Sequence, residues 1–157
     1  MGQRRSFAVK LGGAAVVLAV LLVSSSSALA GSGSNQAGAL HVTKECSQYQ
    51  GQAGQFCTIK SSNIPWIRAG MRVVYADAAD FGTLMLDTDV VLSAGNGSAA
   101  FGHVDLNLAT ALGTVTFDGG SGAFKTFHAT ATVTVTDRGQ PTELWHWDGT
   151  YSFGSDD

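Results

Sequence analysis

The sequence holds only two prolines and two cysteines, and charge on only 13% of its residues. From residue 40 onward no stretch of about a dozen residues keeps apolar side chains at helical spacing, which argues against a helical core. No apolar run reaches the roughly 20 residues that a spanning helix needs. Nor does any serine sit in a G-x-S-x-G elbow, so a hydrolase triad has no support; Gly119-Gly120-Ser121-Gly122 falls one residue short of that spacing. Beyond residue 30 there is no Walker loop and no dinucleotide-binding glycine fingerprint. Clustered basic residues are missing too. Lys44, Lys60, Arg68, Arg72, Lys125 and Arg138 stand singly, whereas binding to a polyphosphate needs Lys and Arg gathered on one surface, so a nucleic-acid partner is not expected.

The N-terminus is where basic charge and apolar residues concentrate. Arg4, Arg5 and Lys10 precede an apolar run from Leu11 to Val23, then Ser24 to Ser27, and the run closes on Ala28-Leu29-Ala30. This is the layout of a cleavable signal peptide over residues 1–30, with Gly31 as the expected mature N-terminus. Arg4-Arg5-Ser6-Phe7 with Lys10 also resembles a twin-arginine signal. General secretion is the expected route, because paired basic residues open many ordinary signals. Both routes lead to a periplasmic or extracellular protein with no stable membrane span after cleavage. Residues 1–30 carry three of the nine basic residues and none of the twelve acidic ones, which leaves a net charge of −6 on the remainder.

In an oxidising compartment Cys46 and Cys57 read as a disulfide. Their ten intervening residues fit neither C-x-x-C redox chemistry nor the usual zinc spacing. No metal site and no cofactor are expected.

Residues 31–39 are small and polar and read as a flexible leader; a single domain over 40–157 follows. Segments rich in Val, Thr, Leu and aromatics recur between clusters of Gly, Asn and Asp, which predicts strands near 40–45, 56–60, 71–77, 83–92, 99–108, 113–117, 125–136 and 143–153. Ala94-Gly95-Asn96-Gly97 and Asp118-Gly119-Gly120-Ser121-Gly122 supply residues that tolerate positive φ, as hairpins require. Short links imply antiparallel neighbours. The fold class is therefore all-β, an eight-stranded antiparallel barrel, with a two-sheet sandwich as the alternative.

Alternation assigns the faces. Trp145, Trp147, Gly149, Tyr151 and Phe153 share one side of the last strand, and Phe127, Ala129, Ala131, Val133 and Val135 one side of the seventh. Those sides should face inward, leaving either a core matched in size or a cavity.

The stretch Gly113 to Phe124, a strand followed by Gly-Gly-Ser-Gly and an aromatic, resembles a recurrent segment of the allene oxide cyclase and dirigent-like barrels. The chain is more similar to an uncharacterised secreted bacterial branch of them than to a plant enzyme. The resemblance implies a barrel, in many members a homo-oligomer, that binds a hydrophobic small molecule in its lumen and steers its cyclisation, isomerisation or coupling. It brings no catalytic residue with it, since the carboxylates, tyrosines, asparagines or arginines that such barrels use lie outside the matching stretch.

The best polar constellation is His103 with Asp105 on one face of the fifth strand, where Asp105 could tune the imidazole as an acid/base group. The competing reading is an outward polar face opposite Val104, Leu106 and Leu108. Asp87 and Asp89 read as solvent-facing charges. Tyr75, Trp145, Trp147 and Tyr151 are the expected ligand-binding residues, because amphipathic rings offer a large apolar surface with a polar tip. Two functions follow: a secreted barrel that holds a hydrophobic ligand, or a non-catalytic extracellular or envelope protein that works through its surface.

Overall fold

A computed structural model describes residues 36–154; the expected signal peptide lies outside the described residues. Eight strands follow one another: β1 (Ala37–Glu45), β2 (Phe56–Ser62), β3 (Arg72–Tyr75), β4 (Met85–Ser93), β5 (Ala99–Asn107), β6 (Leu112–Ser121), β7 (Phe127–Thr136) and β8 (Leu144–Phe153). Each pairs antiparallel with the next, and β8 returns to β1 in a register that runs from Ala37 opposite Ser152 to Lys44 opposite Trp145. The sheet is therefore a closed barrel rather than a sandwich. Closure removes both open edges, which would otherwise offer unpaired N–H and C=O groups to other chains.

The strand boundaries differ from the sequence reading mainly at two places. β1 starts at Ala37, within the segment read as leader, because Ala37–Ala39 pair with Ser152–Thr150 of β8. β6 runs on to Ser121, through the Gly-Gly-Ser-Gly stretch read as a hairpin, and the turn is instead a short 3-10 helix over Gly122–Phe124. Gly120 explains this: a Cβ there would lie 2.0 Å from the Ala99 carbonyl oxygen. Glycine lets β6 and β5 approach closely beside the bulge that shifts their register between Ala100 and Gly102.

Alternation fills the interior as the pattern demands. Leu40 and Val42 of β1, Val73 of β3, Val90 and Leu92 of β4, Val104 of β5, Val115 and Phe117 of β6, and Phe127 to Val133 on alternate positions of β7 are all buried. Small residues of β7 and β8 make room for large ones. Ala129 pairs with Phe117 across the β6/β7 ladder and Ala131 with Gly149 across β7/β8, while the rings of Phe117 and Trp147 meet with centroids 5.5 Å apart. The barrel end with the β2–β3 loop is closed from within, since Ile64 and Ile67 are buried there and Trp66 packs on Phe153 at 4.9 Å. Fully burying each such side chain contributes about 1.5–3 kcal/mol before entropy is charged against it.

Gly149 sits at another close approach in the wall. A Cβ would lie 2.0 Å from the Thr130 carbonyl oxygen and 2.6 Å from the Ala131 Cα, both of which are backbone and cannot swing aside. Gly149→Ala is expected to destabilise the barrel by roughly 2–3 kcal/mol, the upper range of overpacking penalties, and chemical denaturation would read this as a lower midpoint. An unchanged midpoint would show that β7 and β8 are looser than this register.

Candidate ligand cavity

At the barrel end opposite Ile64 and Ile67, the lumen is not filled. A cavity of about 270 Å³ lies there, walled by Leu86, Leu106 and Leu108, by Tyr75 and Trp145, and by the Cys46–Cys57 disulfide with its loop. Its volume is just under the roughly 300–1,000 Å³ usual for ligand pockets, which suits a small guest. Phe81, from the β3–β4 loop and 60% exposed, stands at the mouth over Gly51. The glycine permits that contact, for its φ is +82° and a Cβ would strike the Phe81 ring.

One charged side chain enters this apolar wall. Lys44 continues the inward phase of Leu40 and Val42 on β1 and is only 4% exposed. The β1/β2 register slips between Thr43 and Lys44, with the extra residue, Lys60, on β2, so the alternation of β1 runs on unbroken to Lys44. Its Nζ donates to the Tyr75 hydroxyl oxygen at 2.5 Å and lies 5.0 Å from the Trp147 ring centre and 5.2 Å from that of Tyr75. The Tyr75 hydroxyl is 3.4 Å from Cys57 Sγ. A disulfide sulfur has no hydrogen, so the tyrosine O–H donates there and its oxygen is left to accept from Lys44. With Lys44 protonated, both bonds run in this direction.

Electrostatics follow from burial. No carboxylate pairs with Lys44 among the described residues, and loss of hydration pushes its pKa down to about 7. Burial raises the Tyr75 pKa, helped by the nearby Tyr49. Tyr49 is pushed up to about 12 for the same reason. The rings of Tyr49 and Tyr75 meet at 4.4 Å. The Tyr49 hydroxyl is buried without a hydrogen-bond partner among the described residues, and Tyr49 forms part of the cavity wall. Glu143 also borders it, accepting from Trp145 Nε1 and from the Gly139 N–H, both at 2.7 Å.

The aromatic residues expected from sequence to bind ligand divide along the barrel. Tyr75 and Trp145 form the cavity wall. Trp147 lies buried behind Lys44, against Phe117. Tyr151 stands towards the other end with Phe127 and Phe153, at 6.5 and 6.1 Å between ring centres.

His103 and Asp105 lie on the outer wall, remote from the cavity. The His103 ring bridges two aspartates of β4, with Nε2 2.9 Å from Asp87 and Nδ1 3.0 Å from Asp89. Asp105 instead stands opposite Asp87 in the ladder. The hydrogen bond to Asp89 is the main cause that raises the His103 pKa, and exposure at 47% leaves the pair in water. Such a clamp ties neighbouring strands together and contributes little to stability.

The groups that sequence reasoning missed are Lys44, Tyr49 and Glu143. Lys44 was legible in the alternation, two residues beyond Val42 on the inward side. Tyr49 and Glu143 lie in loops, where no period reports on direction. No protein-family model, no curated protein and no solved structure matches this chain.

Proposed function

We propose that the protein binds a small hydrophobic molecule in the end cavity of its barrel, outside the cytoplasm. The observation that carries the reading is an apolar cavity into which a few polar groups converge, Lys44, Tyr49 and Tyr75, the usual composition of a small-molecule site. A disulfide at the cavity wall supports an oxidising compartment, reached by way of residues 1–30 as signal peptide. The closed eight-stranded barrel also supports kinship with the allene oxide cyclase and dirigent-like barrels, and in that reading the cavity guides a cyclisation or isomerisation of its guest.

Titration of the full chain with octanol, followed by tryptophan fluorescence, tests the binding. Trp145 borders the cavity, so a saturable shift or quench is expected, and Ala79→Phe at the mouth should weaken it about tenfold by occupying the site. Ala79 lies outside the strands, so the barrel should survive the change. The second reading, a non-catalytic extracellular or envelope scaffold, is favoured by the packed middle of the lumen and by Phe101 and Leu112, half exposed on the outer wall. That reading requires no saturable response to octanol, and the absence of one would overturn the binding reading.

A further inference from the structure

We propose that Lys44 is a nucleophilic amine that captures a hydrophobic aldehyde in the end cavity as an imine. The inference rests on the reading of that cavity as a binding site and names the class of its guest.

Three observations carry it. Lys44 is buried in an apolar wall with no carboxylate to hold it as an ammonium ion among the described residues. A lysine desolvated in this way is the usual form of an imine-forming amine. Next, the hydrogen-bond chain orients the amine. Nζ lies within hydrogen-bond reach of the Tyr75 oxygen, and where the tyrosine hydrogen is directed to Cys57 Sγ the lone pair of the neutral amine stays out of that chain. Finally, Tyr49 belongs to the wall of the same cavity, and its hydroxyl is buried without a partner among the described residues. Leaving a buried hydroxyl unpaired costs about 1–3 kcal/mol, and a carbonyl oxygen in the cavity would offset this cost. The titratable groups around Lys44 are Tyr75 at the end of β3, Tyr49 in the disulfide loop and Glu143 ahead of β8. Of these only Glu143 is a carboxylate, and both its oxygens accept hydrogen bonds elsewhere.

The step balances without a redox partner. The lone pair of Nζ attacks the carbonyl carbon, a C–N bond forms, and the carbonyl π pair moves to oxygen, which takes a proton from the Tyr49 hydroxyl. The nitrogen of the resulting carbinolamine gives up a proton, restoring the tyrosine. Departure of the hydroxyl group with a second proton, the one remaining on nitrogen, breaks the C–O bond and leaves the neutral C=N bond and one water.

The test treats the full chain at pH 7 with octanal and sodium cyanoborohydride, which reduces an imine to a stable secondary amine, and maps the product by mass spectrometry. The expected result is an octyl group on Lys44, acquired about tenfold faster than on Lys60 or Lys125. Lys44→Met should remove that fast adduct and leave the slow ones. Should that variant fail to fold, excess octanol should slow labelling of Lys44 in the unaltered chain without slowing Lys60. If octanol shifts the fluorescence but Lys44 is labelled no faster than Lys60 and Lys125, the imine is overturned and the binding reading stands; that is also the outcome expected of a carboxylate guest merely paired with Lys44. If octanol gives no response and Lys44 no adduct, both readings fall.

Discussion

Replacing Cys46 and Cys57 together by alanine is expected to lower the free energy of unfolding by about 3 kcal/mol, as for loops of this order in the chain-entropy account of disulfides. The two residues are 11 apart in sequence, their Cα atoms are 4.2 Å apart, and the bond joins the exit of β1 to the second residue of β2. Without it, the loop over residues 47–56 gains freedom mainly in the unfolded chain. The β6, β7 and β8 ladders do not include this loop. Their amides should therefore keep their exchange protection while the denaturation midpoint falls. Alanine is the better replacement, since Cys57 is buried and a serine hydroxyl there would need a partner. The bond also braces the cavity, because Tyr49 rides on its loop and Cys57 Sγ is the acceptor for Tyr75. Weaker octanol binding should accompany the lower midpoint. An intact mass showing two free thiols in exported material, or an unchanged midpoint, would count against both the brace and the oxidising compartment.

The eight strands were legible because their physics is local. Val, Thr and aromatic residues at period two, cut by Asn-Gly and Asp-Arg-Gly turns, leave few other solutions, and the turns adopt the positive φ that those residues tolerate: Gly95, Asn96 and Gly97 in one, Asp137 and Gly139 in another. Closure into a barrel was less legible, for it depends on pairing β1 with β8 across the whole chain. The Gly119-Gly120 stretch misled for a physical reason. Glycine marks a hairpin when it supplies positive φ, but at Gly120 it serves the close approach of two strands, and the sequence does not distinguish these uses.

The site was half legible. Tyr75 and Trp145 belong to strands whose alternation points them inward, so they could be named. Trp147 and Tyr151 share that phase, yet height along the barrel separates them from the cavity, and height depends on strand stagger rather than on period. Lys44 contradicts its own propensity, a cation in an inward position. Such local conflicts are where functional groups concentrate in an otherwise consistent sequence.

That conflict makes stability depend on pH. Lys44 has a pKa of 10.5 in an open chain and about 7 when folded. Below pH 7 both states are protonated and the full penalty of burying the charge is present. Between pH 7 and 10.5 the unfolded chain binds more protons than the folded one, so stability rises with pH. At about 1.4 kcal/mol per pKa unit, the gain from pH 7 to about pH 9.5 should approach 3 kcal/mol. Above that window the buried tyrosines act in the other direction, because Tyr49 and Tyr75 ionise more readily once unfolded. His103 opposes it near pH 7, for its raised pKa favours the folded state in acid and that support is lost as pH rises. Both effects are common to Lys44→Met, which keeps the volume and removes the charge. The comparison is urea denaturation of the two proteins across pH 6 to 9.5, where both cysteines are held in the disulfide and no thiol is free to exchange. Lys44→Met should be the more stable protein at pH 6 by a few kcal/mol, with the gap closing as the medium becomes alkaline. Parallel profiles would mean that Lys44 keeps its proton in the fold, and with it would go the free amine on which imine formation depends.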